Sequence, residues 1–166
     1  INLSKEIVID IYSDTICPWC YIGLNKLKLA MEEFSQTKFK LTWRPFQLNP
    51  DMPSGGMDRE IYLETKFKGQ EEAKKVYENI YKEGLKINIH FQFDNIKTTP
   101  NTFASHKLLA LAHKSNKQTE IVESLFYEYF IEGIDIGKHE ELVRIAKLHN
   151  IHDDKTLDYL KSEEDN

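Results

Sequence analysis

Two periods of apolar residues run along this chain, and the point where one gives way to the other divides it. Residues 6–13 carry Ile7, Val8, Ile9 and Ile11 in a β-branched run, which predicts a strand buried on both faces. Residues 38–48 set Phe39, Leu41, Trp43 and Pro45 against Lys40, Thr42 and Arg44. That alternation predicts a second strand with Phe39, Leu41 and Trp43 in the core. Between them Ile22, Leu24, Leu27, Leu29, Ala30 and Phe34 fall at helical spacing, so 18–35 is expected to be a helix. Pro18 suits its first position, where a missing N–H costs nothing. Strand, helix and strand together have the size of a parallel crossover.

The loop Asn49-Pro50-Asp51-Met52-Pro53-Ser54-Gly55-Gly56 then breaks the pattern, and the chain beyond it reads as mostly helical. Helices are expected near 58–68, 70–85, 101–115, 117–132, 138–149 and 153–161, with an irregular connector over 86–97 that carries Phe91 and Phe93. Phe103, Leu108, Leu111 and Ala112 form the predicted apolar face of the 101–115 helix. Tyr77, Tyr81, Phe126, Tyr127, Tyr129 and Phe130 are expected to pack helix against helix. Gly133 and Gly137 punctuate the next boundary. The organisation read from this is an N-terminal strand–helix–strand part over 1–50 and a mostly helical part over 51–166.

Composition narrows the class. The chain has 166 residues, 40 % hydrophobic and 30 % charged, with a net charge of −5. This fits one domain, or one domain carrying an insertion. Lys and Arg are interspersed with acids rather than clustered, which argues against a nucleic-acid partner, and no apolar run reaches the length of a membrane span. Ile1-Asn2-Leu3-Ser4-Lys5-Glu6 does not read as a signal peptide and lacks an initiator Met, so residues are expected to precede it. The tail Ser162-Glu163-Glu164-Asp165-Asn166 is expected to be solvated.

The chemistry lies in Cys17-Pro18-Trp19-Cys20, whose two cysteines are the only ones in the chain. Two cysteines cannot staple a secreted scaffold of this size, so a reducing, cytoplasmic setting is expected. They sit where the first strand hands over to the first helix. Unpaired N–H groups and the helix dipole there favour a thiolate at Cys17. Cys20, three residues on, shares the helix face and can close a small disulfide loop. Cys17 is thus expected to attack and Cys20 to resolve. A zinc site would need two more ligands, and His90, His106, His113, His139, His149 and His152 are scattered, so no metal is expected. Trp19 and Tyr21 either rim a substrate cleft or pack. Asp14 either tunes the thiols or caps a turn. His106 either lines the cleft as an acid or base or is a partly buried helix histidine, and Asn101 is a helix cap or a substrate ligand.

The segment Ser13-Asp14-Thr15-Ile16-Cys17-Pro18-Trp19-Cys20-Tyr21-Ile22-Gly23 resembles the active-site segment of the DsbA-like thioredoxin superfamily, in particular its FrnE-type branch. Pro45-Phe46-Gln47-Leu48-Asn49-Pro50 and Asn101-Thr102-Phe103-Ala104-Ser105-His106 resemble that branch too, in the same order. The resemblance covers about residues 6–160. It implies an α/β, thioredoxin-like fold whose strand–helix–strand start is followed by a large helical insertion. It also implies a thiol–disulfide oxidoreductase in which Cys17 attacks and Cys20 resolves, Pro18, Trp19, Tyr21, Asn101 and His106 being cleft candidates. The redox-active disulfide would serve in place of a cofactor, with glutathione the candidate small-molecule partner and disulfides or dithiols the substrates. The departure is that no proline follows Pro100 and no strand-like run occupies the last sixty-odd residues. The sheet is therefore expected to be incomplete, its later strands and cis-proline lying outside this stretch, the alternative being a divergent chain that does without them, and a second copy of the chain is expected to cover the exposed edges. The alternatives are a glutathione-dependent isomerase or transferase of the same fold, and a chaperone-like binding module.

Overall fold

The β-branched run at the start of the chain forms a strand, but a largely uncovered one. In the computed structural model, which describes residues 5–162 apart from the Asp153 side chain, β1 runs Lys5–Ser13, α1 Pro18–Glu32 and β2 Thr37–Pro45. β1 and β2 pair in parallel from Lys5–Thr37 to Ser13–Pro45, with α1 as the crossover that such a pair requires. α1 stops short of residue 35 because Glu33 and Phe34 donate to the carbonyls of Ala30 and Met31, tightening the last turn before Thr37 enters β2.

The rest is helical. β3 (Met57–Asp58) leads directly into α2 (Arg59–Phe67), followed by α3 (Gln70–Leu85), a 3₁₀ turn at Phe93–Asn95, and β4 (Thr98–Thr99). Then come α4 (Phe103–Lys114), α5 (Gln118–Phe130), α6 (His139–Leu148) and α7 (Asp153–Lys161). β3 and β4 form a two-residue antiparallel ladder, Met57 opposite Thr99 and Asp58 opposite Thr98, too short to leave a period in the sequence. The tail residues 163–166 and residues 1–4 lie outside the described part.

One apolar cluster joins the two parts of the chain. It runs from Ile16, Ile22, Leu24 and Trp43 to Leu108, Phe126, Phe130, Leu142 and Leu160. α5 is its axis, with Ile121, Val122, Leu125, Phe126, Tyr129 and Phe130 all buried. Tyr21 of α1 stacks on Phe126 with ring centroids 5.0 Å apart and meets Phe91 edge-on at 5.9 Å, geometries that aromatic pairs favour. Gly133 closes the turn after α5 at φ 71°, and a Cβ there would lie 2.2 Å from the Asn95 carbonyl oxygen. The position thus excludes any side chain on two counts.

Several expectations about burial are corrected. β1 is not buried on both faces: Ile7 is 44 %, Val8 60 % and Tyr12 70 % exposed. The sheet holding β1 has two strands among the described residues, so much of β1 has no layer against it. On β2 Thr42 and Trp43 are buried, while Phe39 and Leu41 are only half-buried. In α1, Ile22 and Leu24 face the core while Leu29 is exposed, because α1 is covered on one side, and Phe34, just past its end, is exposed as well. Phe103 is exposed, and Leu109 takes its place on the buried face of α4; Tyr81 and Tyr127 are also exposed. The outer edge of β2 is blunted at one point. Gln118 accepts the Trp43 N–H at 2.9 Å and donates to its carbonyl at 3.3 Å, standing in for a neighbouring strand.

Candidate active site

β1 ends at Ser13, which begins a buried run with Asp14, Thr15 and Ile16. A turn closed by the Cys17 N–H on the Asp14 carbonyl (3.1 Å) delivers Cys17 to the head of α1. Cys17 is the N-cap, with extended φ −93°, ψ 110°, and Pro18 follows in the first turn. Where a cap ordinarily presents oxygen, Cys17 presents sulfur, and its Sγ accepts the Cys20 N–H at 3.3 Å. Both thiols are unbridged and half-buried.

Above about pH 6 the two sulfurs share one proton. Cys20 is pushed down to about 6, first by a hydrogen bond from Cys17, against burial, with help from the Ser13 side chain and the Asp14 backbone; the Asp14 carboxylate opposes the shift. Cys17 is pushed up by that same bond to Cys20, by burial and by the charge on Cys20, while the Cys20 and Trp19 backbone pulls it down. The resting proton therefore favours Cys17 and the cap favours a charge there, two tendencies in opposition. The early ionisation belongs to the pair.

Asp14, 1 % exposed, is the hub beneath the dithiol. Its Oδ1 accepts the Thr15 N–H at 2.9 Å and its Oδ2 accepts the Leu48 N–H at 2.8 Å. His106 Nε2 lies 3.1 Å from Asp14 Oδ1 and 3.0 Å from the Phe46 carbonyl oxygen. Both neighbours are acceptors, so the imidazole carries its proton on Nε2. Its Nδ1 is fully buried with no partner among the described residues. One position on, Thr15 Oγ1 meets Ser105 Oγ at 2.8 Å, and Ser105 donates to the Thr102 carbonyl at 2.8 Å.

The three segments singled out in the sequence thus converge on one network, the turn before the dithiol, the stretch after β2, and the start of α4. Among the candidates, Cys17, Pro18 and Cys20 form the head of α1, and Trp19 stands 47 % exposed beside them. Tyr21 belongs to the aromatic cluster rather than to an exposed rim. Asn101 accepts the Phe103 N–H at 2.8 Å and donates to the Met52 carbonyl at 2.7 Å, tying the 49–56 loop to α4. Thr15, Ser105 and the backbone of Phe46 and Leu48 carry no individual signal in the sequence beyond membership of those three segments. Among the described residues no group of three His, Cys, Asp or Glu is placed to hold a metal ion, and no helix is long and apolar enough to cross a membrane.

Known proteins resemble this chain in sequence and in fold. Residues 8–166 match the profile of the family described as DSBA-like thioredoxin domain. The chain is 29 % identical over 140 residues to the uncharacterised protein YwbO of Bacillus subtilis (strain 168), covering 84 % of this chain and 64 % of that protein. It thus spans just under two thirds of that relative's length. A probable DsbA oxidoreductase of Streptomyces coelicolor superposes with a TM-score of 0.83 at 21 % identity, over 93 % of this chain and 68 % of that one. The cytosolic disulfide reductase DsbM of Pseudomonas aeruginosa, solved with GSH, superposes with a TM-score of 0.63 at 13 % identity, over 95 % and 73 %.

Proposed function

The chain belongs to the DSBA-like thioredoxin domain family, and on that footing we propose that it is a thiol–disulfide oxidoreductase working through Cys17 and Cys20. The observation that carries this is the unbridged dithiol at the head of α1, with Cys17 Sγ accepting the Cys20 N–H at 3.3 Å. Cys17 is the attacking sulfur. Two backbone groups favour its charge, whereas the Asp14 carboxylate repels charge on Cys20. For Cys17 to attack a substrate disulfide, the shared proton passes from Cys17 to Cys20. The substrate S–S bond breaks, one substrate thiolate leaves, and a mixed disulfide joins Cys17 to the other half. Cys20 then attacks Cys17 Sγ, its proton passes to the departing thiolate, and the Cys17–Cys20 disulfide forms. The substrate gains the two electrons that the dithiol loses; run backwards, the same steps oxidise a dithiol.

Asp14 and His106 are positioning residues. The carboxylate fixes the turn before Cys17 and the segment after β2, and its charge adds a small opposition to the ionisation of Cys20. Exposed Trp19, Phe46, Leu48 and Phe103, on segments joined through the Asp14 network, offer an apolar surface to a substrate chain. The test is reduction of insulin with dithiothreitol as electron source. Cys17→Ser should abolish it, and Cys20→Ser should accumulate a mixed disulfide at Cys17. Undiminished turnover in Cys17→Ser would overturn the assignment. Replacing the Asp14 charge, in Asp14→Asn, should move thiolate formation to lower pH, read by ultraviolet absorbance; a purely structural role would leave it in place.

Glutathione is the proposed small-molecule thiol. DsbM, a neighbour in fold, was solved with GSH, and the intact pair of cysteines favours dithiol exchange over transfer to a second substrate. Calorimetric titration separates the two, since tight stoichiometric glutathione binding without redox turnover would favour a transferase. The cytoplasm is the proposed compartment, because both cysteines are committed to one dithiol and none is left to staple the fold.

A further inference from the structure

Arg59 is a buried cation with no anionic partner among the described residues. It is 8 % exposed, at the start of α2, on the floor of a groove of about 1110 Å³ between α2, α3 and the connector before β4. Its Nη1 donates to Thr99 Oγ1 at 3.1 Å and to Tyr129 Oη at 3.2 Å. The guanidinium also lies 5.1 Å from the ring centre of Tyr77 and 5.7 Å from that of Tyr62. None of these partners carries charge; burial pushes the Tyr129 hydroxyl up and keeps it neutral. Nε and Nη2 have no protein acceptor among the described residues. Neither is sealed off, since His106 Nδ1 is the one fully buried side-chain N or O atom lacking a partner there. The free edge of the guanidinium is therefore not sealed in the core, and Arg59 lines the groove.

We propose that this groove binds a small monocarboxylate with an aromatic or apolar body, its carboxylate forked onto Nε and Nη2 of Arg59 and its body against Tyr77, Phe93 and Leu63. Two parallel N–H groups on a planar cation match the two oxygens of a carboxylate. A buried guanidinium held only by hydroxyls and ring faces gains most from a full negative charge. The rim decides between anions. It carries five acids and three lysines, which disfavours a dianion such as phosphate and tolerates a single charge. The half-buried rings of Tyr77 and Phe93 supply the apolar wall. None of the lining residues belongs to the dithiol network, so the site is separate from the redox centre.

The experiment is a titration of the full chain with sodium benzoate, followed by NMR through the Arg59 Nε–H resonance. Saturable one-to-one binding that shifts this resonance is expected. Arg59→Lys keeps the charge but loses the fork, and should weaken benzoate by about tenfold or more. Cys17→Ser should bind benzoate as the parent does, which separates this site from the proposed redox activity. Absence of a saturable shift at Arg59, unchanged affinity in Arg59→Lys, or inorganic phosphate binding as tightly as benzoate would each overturn the proposal. If Arg59→Lys does not fold, the wild-type resonance alone decides.

Discussion

β1 and α5 are both rich in apolar residues, yet the fold treats them in opposite ways. β1 leaves Ile7, Val8 and Tyr12 44–70 % exposed, while Ile121, Val122, Leu125, Phe126, Tyr129 and Phe130 of α5 are each at 1 % or less. Stability in this molecule therefore resides in the helical part, with the strand–helix–strand contributing through its inner side, by Ile22, Leu24 and Trp43. The dithiol lies at the seam, on the exposed head of α1, above a buried polar network anchored to α4. A reactive sulfur needs access, and a hydrogen-bonded carboxylate below it needs a rigid support. The two regions supply one each.

The largest effect should come from the seam. Cys17→Ser is expected to remove disulfide exchange entirely while leaving the thermal midpoint near that of the parent, because Cys17 is half-buried and makes one weak cap bond. A large fall in midpoint together with lost exchange would mean that site and core are not separable. Next comes the core itself. Phe126→Ala should cost about 3–5 kcal/mol in urea unfolding, the range for emptying a buried aromatic site, whereas Val8→Ala on the open strand should stay within about 0.5 kcal/mol. Equal costs would break the contrast and show that β1 is covered in solution. Gly133→Ala should cost more than the roughly 1–3 kcal/mol of left-handed strain alone, because a Cβ there would also meet the Asn95 backbone. Circular dichroism melts would detect it, and an unaffected melt would mean that the turn relaxes.

The legibility of this molecule is limited by how much a period can carry. α2 to α7 were readable because each keeps a helical apolar repeat over two turns or more, and β2 because Phe39, Leu41 and Trp43 alternate. Whether a strand is covered is not written in its own residues. Ile7-Val8-Ile9 reads the same under a helix as facing solvent, so the expectation for β1 failed on tertiary context. The site was legible at its sulfurs, where two cysteines stand in one short motif. Its foundation was legible only as three separated segments, since His106 meets Asp14 across 92 residues and nothing local predicts that pairing. Arg59 was invisible among the chain's other basic residues, because burial without a counter-charge is a property of the packing around it.

The smallest effect tests the shared proton. Cys20 ionises at about 6 in the fold against an ordinary 9.0. Between those values the folded, reduced protein binds fewer protons than the unfolded chain, and its stability rises with pH. Above the ordinary value the sign reverses. Cys17, pushed up by its bond to Cys20, retains a proton that the unfolded chain has given up, and stability falls again. Below about 6 both sulfurs are protonated in either state and contribute nothing. Urea midpoints of the reduced parent, measured against Cys17→Ser/Cys20→Ser across this range, should therefore trace a rise and a fall with a maximum near pH 9. Because both sulfurs are half open to solvent, the height should be only about 1 kcal/mol. A monotonic rise would mean that Cys17 titrates as an independent thiol, and a flat difference that the sulfurs are uncoupled. Either result would leave the dithiol without the poise that the head of α1 gives a thiolate.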